Sequence, residues 1–217
     1  MSSSRIWVVL VAAGSGSRFG GSKQVAELAG KRVLDWSFET ASVLAERVVV
    51  VHPDADLANY PGDFKVIGGS TRSESVRAGL SLVPDDVDFV LVHDAARPLA
   101  SVALYRRVVD ALLAGAESVV PVIEVKESLK LLDDDRSISS VDRTKYRLAQ
   151  TPQGFRRATI VAAHAGNSEA TDDVAMVESL GIKARMVDGE LDNLKITYPL
   201  DLAYAEAILK WRISGGR

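Results

Sequence analysis

Short runs made almost entirely of apolar and β-branched residues recur as far as residue 123: 6–11 (IWVVLV), 47–51 (RVVVV), 64–67 (FKVI), 88–93 (DFVLVH) and 118–123 (SVVPVI). A strand with one wet face alternates apolar and polar residues, whereas an unbroken apolar run fits a strand covered on both faces. Between these runs lie segments at helical spacing. In 33–45, Val33, Trp36, Phe38, Ala41, Val43 and Leu44 fall at roughly helical spacing. Thr71-Arg72-Ser73-Glu74 has the pattern of a capping box opening a helix over 72–82, and a further helix is expected near 101–114. This alternation predicts an α/β fold with a mostly parallel sheet covered by helices. Ligands of such sheets sit beyond the carboxyl ends of the strands. The glycine loop after 6–11, Gly68-Gly69 and His93-Asp94 each follow a strand directly, so they are expected to meet at one edge.

From 124 to 147 the pattern breaks into the polar, β-branched run EVKESLKLLDDDRSISSVDRTKYR, with a turn at Asp133-Asp134-Asp135. It reads as an extended β-arm that adds little to the core, either packed on a second subunit or lying on the surface. Beyond it a return strand is expected at 148–151, helices at 156–165 and 172–180, short strands at 182–187 and 194–197, and a closing amphipathic helix at 200–213. Residues 1–217 are read as one domain, with 124–147 as an arm within it.

Composition excludes several functions. The chain has no cysteine, which removes disulfides, thiolate metal sites and a cysteine nucleophile. A net charge of −3 gives no general field for nucleic acid or membrane surfaces. No apolar run approaches the roughly 20 residues that span a bilayer. A cytoplasmic location is the expectation.

The loop after the first strand, Ala12-Ala13-Gly14-Ser15-Gly16-Ser17-Arg18, carries a second cation at Lys23. Glycines admit φ > 0 and leave N–H groups uncovered for a bulky anion. A Walker-type loop needs Gly-Lys-Ser/Thr, and Gly21-Ser22-Lys23 has these residues in another order. A dinucleotide fingerprint needs its third glycine where Phe19 stands. A nucleotidyltransferase signature, A-A-G-x-G-x-R followed by lysine, fits without mismatch. A plain strand-to-helix turn is the simpler alternative.

Three further stretches bear on chemistry. In Gly68-Gly69-Ser70-Thr71-Arg72-Ser73-Glu74-Ser75, a glycine pair precedes a helix N-terminus, and Arg72 and Ser75 share a face. That favours contact with a polar ring or anion; a capped surface helix is the alternative. In His93-Asp94-Ala95-Ala96-Arg97-Pro98, Asp94 can hold ribose hydroxyls or a hydrated metal ion and Arg97 a second phosphate, or the two form a surface ion pair. In Leu191-Asp192-Asn193-Leu194-Lys195-Ile196-Thr197, Lys195 is either an edge-strand gatekeeper or a ligand contact.

These motifs, with K-Q, V-D-R, T-P-Q and T-D-D between them, run in order along nearly the whole chain. Together they resemble the 2-C-methyl-D-erythritol 4-phosphate cytidylyltransferase family of the non-mevalonate isoprenoid pathway. The resemblance implies a Rossmann-like nucleotidyltransferase fold and transfer of CMP from CTP to methylerythritol phosphate, with Mg²⁺ or another divalent cation. It implies that Ala12, Ala13, Gly14 and Gly16 hold CTP, and that Arg18 and Lys23 stabilise charge in the transition state. Gly69, Arg72, Ser75, Asp94 and Ala95 would serve the cytosine and ribose side. Asp94, Arg97 and Lys195 would face the acceptor. Through the arm, the resemblance further implies a homodimer in which Arg143 completes the partner's site. The chain departs from the family pattern at Glu127-Ser128-Leu129-Lys130, where Ser128 keeps only the hydroxyl of the usual threonine; at Ser22, where a proline usually precedes the lysine; and at Tyr198-Pro199-Leu200-Asp201. Alternatives are a cytidylyltransferase for another polyol phosphate, such as ribitol 5-phosphate, and a nucleotide-binding protein without turnover.

Overall fold

The structure, a computed structural model, describes residues 4–14, 16–53, 60–62, 64–166 and 168–215. In chain order the elements are β1 (Ile6–Val11), β2 (Glu27–Leu28), β3 (Lys31–Arg32), α1 (Val33–Ser42), β4 (Arg47–His52), β5 (Phe64–Ile67), α2 (Arg72–Leu80), β6 (Phe89–Asp94) and α3 (Val102–Leu113). There follow β7 (Ser118–Glu124), β8 (Lys130–Leu132), β9 (Ile138–Ser140), β10 (Arg147–Ala149), β11 (Gln153–Arg156), α4 (Arg157–Ala163), α5 (Asp173–Glu178), β12 (Arg185–Asp188) and α6 (Pro199–Ile213).

The central sheet is mixed and mostly parallel. β1 lies between β4 and β6, both parallel to it, and β5 extends the sheet beyond β4. On the other side β11 runs antiparallel between β6 and β7, while β10 pairs antiparallel and β12 parallel with β7. Side chains alternate across the sheet as the pleat requires. Val8, Leu10, Val48, Val50 and Leu91 face α1 and α3 in one core. Trp7, Val9, Val49, Val51, Val90 and Val92 face α2, α4 and α5 in another. Each fully buried side chain of this size contributes roughly 1.5–3 kcal/mol, so both layers hold the strands that carry the loops. A third cluster of Leu28, Leu99, Ile196, Ala205 and Leu209 seats α6. Gly79 lets α2 close on the sheet, since a Cβ there would lie 2.4 Å from Val9 Cγ1. Among the described residues no helix is long and apolar enough to cross a membrane.

Several expectations need correction. Residues 194–197 form no strand; the segment instead crosses the loop after β6, with Ile196 N–H donating to Ala96 O at 2.8 Å. The edge-strand reading of Lys195 therefore falls. The strand expected at 182–187 is Arg185–Asp188, and the return strand at 148–151 is Arg147–Ala149. β11 was hidden by its sequence, Gln-Gly-Phe-Arg. Its buried Gln153 is satisfied across the fold, donating to Asp172 Oδ2 at 3.0 Å and accepting from Val174 N–H at 3.2 Å. The arm is a thin hairpin of β8 and β9 whose strand residues are all exposed.

Candidate active site

The loop after β1 is shaped by its own backbone. Gly16 has φ +64°, and its carbonyl accepts from the N–H groups of Phe19 and Gly20 at 2.8 and 3.1 Å. A Cβ on Gly16 would fall 1.9 Å from Gly21 O, so no other residue fits there without moving the loop. Buried Gln24 donates from Nε2 to Gly14 O at 3.2 Å and ties the loop down. Ser15 lies outside the described residues.

The second wall comes from the start of α2. Gly68 packs so closely that a Cβ would meet Ala13 Cβ at 2.3 Å. The capping box is present: Thr71 Oγ1 accepts from Glu74 N–H, and Glu74 Oε2 accepts from Thr71 N–H. Glu74 Oε2 also takes the Ser70 N–H at 2.6 Å. A carboxylate of the chain itself thus takes the two N–H groups that lead into the helix, those of Ser70 and Thr71.

The third wall is the end of β6. Ala95 N–H donates to Val11 O at 3.0 Å, and Ser37 Oγ donates to Ala95 O at 2.9 Å. Behind this turn His93 is completely buried. Its Nε2 faces Arg97 O at 3.2 Å, a carbonyl that can only accept, so Nε2 carries the proton and Nδ1 accepts from Thr151 Oγ1 at 3.1 Å. Burial lowers this imidazole to about 4, which keeps the ring neutral.

These walls enclose a cavity of about 490 Å³. It is lined by Ala12, Ala13, Gly14, Gly16, Arg18 and Lys23 from the first loop, Gly69, Arg72 and Ser75 from the second, Asp94 and Ala95 from the third, and Lys195 from the segment crossing it. Residues that are far apart in the chain thus meet, as the strand-end rule requires. Asp94 is the one carboxylate among the described lining residues. It receives Lys195 Nζ on Oδ2 at 2.6 Å and Arg72 Nε on Oδ1 at 3.2 Å. Burial would raise its pKa, but Arg72, Lys195 and Arg97 outweigh that and hold the carboxyl well below the usual range. Burial also acts against the Arg72 guanidinium, yet Asp94 and Asp173 hold it above its ordinary value. Lys23 is pushed down, first by burial and then by Lys195, with Asp94 opposing and Arg18 adding to the effect. Such a crowd of cations gains most from an arriving polyanion.

Three named residues stand outside the cavity. Arg97 does not face it: Nη1 donates to Asn193 O at 2.8 Å and Nη2 to Ala149 O at 3.4 Å, so the guanidinium braces the loop from behind. Arg97 therefore does not line this chain's cavity. Ser128 and Arg143 are exposed on the arm, where Arg143 Nη1 donates to Lys126 O. Conversely, Gln24, Thr71 and Thr197 line the cavity without having been singled out. Tyr198 supports Arg18, whose Cζ lies 6.0 Å from the ring centroid. The K-Q and T-D-D motifs were signals for Gln24 and for Asp173, the carboxylate on the far side of Arg72.

Comparison with known proteins shows the family. The family described as 2-C-methyl-D-erythritol 4-phosphate cytidylyltransferase (IspD) matches residues 6–211. A protein of that name from Streptomyces coelicolor is 39% identical over 235 residues, covering 97% of this chain and 87% of the relative. One from Frankia casuarinae is 40% identical over 220 residues, covering 96% and 83%. The crystal structure of the Thermus thermophilus protein of the same name superposes with a TM-score of 0.81 at 34% identity, covering 93% of this chain and 98% of that one. The chain belongs to the 2-C-methyl-D-erythritol 4-phosphate cytidylyltransferase family.

Proposed function

We propose that the chain transfers the cytidylyl group of CTP to 2-C-methyl-D-erythritol 4-phosphate, giving 4-diphosphocytidyl-2-C-methyl-D-erythritol and pyrophosphate. The observation that carries this reading is the convergence of Arg18, Lys23, Arg72 and Lys195 on one cavity, floored by Ala12, Ala13 and Gly14. An acceptor phosphate oxygen attacks the α-phosphorus of CTP. The bond from that phosphorus to the bridging oxygen breaks, and pyrophosphate leaves with the electron pair. The nucleophile is already anionic, so no strong base is needed. The barrier lies in bringing two anions together, and positioned cations lower it. Arg18 and Lys23 serve the triphosphate. Arg72, Ser75, Gly69 and Ala95 serve the nucleoside side, and Lys195 with Asp94 serves the acceptor.

A divalent cation fits this site in one way. Among the described residues no group of three or more His, Cys, Asp or Glu converges to hold a metal ion. Asp94 stays ionised and can supply one ligand, leaving the rest to phosphate oxygens and water, a common arrangement for Mg²⁺. Such an ion would neutralise triphosphate charge.

The arm supports a homodimer. Leu131, Leu132 and Ile138 are 56%, 68% and 64% exposed on a hairpin with no core of its own. An isolated two-stranded hairpin is marginal in water, and a partner subunit would cover these side chains. Arg143 and Ser128, remote from their own chain's cavity, would then reach the partner's.

The direct test is pyrophosphate release with CTP and Mg²⁺, offering methylerythritol phosphate and ribitol 5-phosphate separately. Release with methylerythritol phosphate alone is expected. Release with ribitol 5-phosphate alone would keep the mechanism and replace the acceptor.

A further inference from the structure

The ion pairs at the cavity continue downward into the core. Arg72 Nη2 stands 2.8 Å from Asp173 Oδ2, and Asp173 Oδ1 stands 3.1 Å from His164 Nε2. Asp173 and His164 are 1% and 4% exposed, and Asp173 does not line the cavity. Around them lie Val76, Ile160, Ala163, Val174 and Val177. A carboxylate persists in such a layer only when cations and donors compensate it.

Asp173 is not needed to cap its own helix. Asp172 does that, accepting from Ala175 N–H at 2.9 Å and from Gln153 Nε2 at 3.0 Å. The neighbouring carboxylate is thus left to point inward at Arg72. The guanidinium is a planar fork, hydrogen-bonded through Nε to Asp94 and ion-paired through Nη2 with Asp173, a two-sided placement that an ammonium could not reproduce. With Arg72 so fixed, only Asp94 Oδ1 is engaged by it, and Oδ2 is left for Lys195. Without Asp173, Arg72 can turn and take both Asp94 oxygens, in competition with Lys195.

We propose that Asp173 is a positioning residue of this site: seated on His164, it grips the Arg72 guanidinium from below and sets how Asp94 is divided between Arg72 and Lys195. The proposal deepens the cytidylyltransferase reading and rests on it for the turnover measurement only.

The test is a cycle of Asp173→Asn, Arg72→Met and the double variant, read in kcat/KM for CTP. Asp173→Asn is expected to lower kcat/KM about tenfold in the wild-type background and less than about twofold once Arg72 is replaced. Equal losses in both backgrounds would mean that Asp173 acts through packing alone, and would overturn the proposal. Should Asp173→Asn fail to fold, the wild-type protein decides by nitrogen-15 NMR without substrate. A guanidinium held at both ends gives separate, exchange-protected Nη signals for Arg72, whereas one averaged signal would overturn the proposal. This second measurement needs no turnover. A wild-type protein that transfers no cytidylyl group would therefore refute the proposed function and still answer the question about Asp173.

Discussion

Lys195 Nζ sits 2.6 Å from Asp94 Oδ2 although 101 residues separate the two in the chain. The contact exists because Ile196 N–H is tied to Ala96 O, which draws the segment across the end of β6. Lys195→Ala should lower kcat/KM by about 10²–10³, the usual cost of removing one oriented charge-stabilising group. The fold should survive, because Lys195 is more than one-third exposed. Asp94→Asn should do more damage to stability, on the order of 2–3 kcal/mol after allowing for that exposure, since Lys195 loses its carboxylate and Arg72 keeps only Asp173. Steady-state kinetics and urea unfolding on the two variants would separate these effects.

Burial and the neighbouring cations Lys195 and Arg18 act against the Lys23 ammonium, and Asp94 and Asp201 only partly oppose them. Lys23→Ala should reduce turnover by about 10²–10³ with little change in thermal stability. Wild-type activity in that variant would remove Lys23 from the mechanism.

Gly16→Ala would place a Cβ 1.9 Å from Gly21 O at a residue with φ +64°. The left-handed backbone alone costs an alanine roughly 1–2 kcal/mol, and the collision adds to it. The loop should open while the sheet stays intact. The expected result is CTP affinity weakened at least about tenfold with an unchanged far-ultraviolet circular dichroism spectrum, measured by titration calorimetry.

Stability should fall with acid before the carboxylates titrate. The His93 imidazole is held at about 4 in the folded chain, below its ordinary 6.5. Between those values the unfolded chain binds a proton that the folded chain refuses, so unfolding becomes easier as pH drops, by on the order of 3 kcal/mol across the window. Asp94 and Asp173, both held below the ordinary carboxylate range, lose their contribution only below about pH 4. Urea midpoints at pH 7, 5.5 and 4.5 would reveal the decline, and carbon-13 NMR would show the His93 ring still neutral at pH 5. A midpoint that stays flat from pH 7 to 4.5 would contradict the burial argument.

Mixing Lys23→Ala with Arg143→Ala tests the shared site. Each mixed dimer would hold one site with both residues intact, so random exchange of subunits should restore about a quarter of wild-type activity. No recovery in mixtures shown to contain mixed dimers would confine each site to one chain.

Much of the architecture was readable because it depends on local pattern. Unbroken apolar runs identified β1, β4, β6 and β7, and the glycine, Asp94 and Lys195 motifs marked the loops that form the cavity. What escaped depends on contacts that no window contains. Gln153 looks like a loop residue until Asp172 and Val174 are seen to satisfy it. Nothing around Arg97 in the sequence foretells that its guanidinium meets the carbonyls of Ala149 and Asn193. Lys195 has strand-like neighbours, yet its segment is held by the Ile196–Ala96 backbone bond and by side-chain bonds to Asp94 and Asp201 rather than by a ladder.

The arm leaves and re-enters the sheet at a single rung, where Glu124 on β7 lies opposite Arg147 on β10. Opposed residues of an antiparallel pair have Cα atoms only about 5 Å apart. Topologically, everything from 125 to 146 is the loop of one hairpin, and a tight two-residue turn could replace it without disturbing either strand. The strands that carry a chain's own cavity are thus indifferent to the arm's length, whereas that length decides how far Arg143 reaches toward a neighbour.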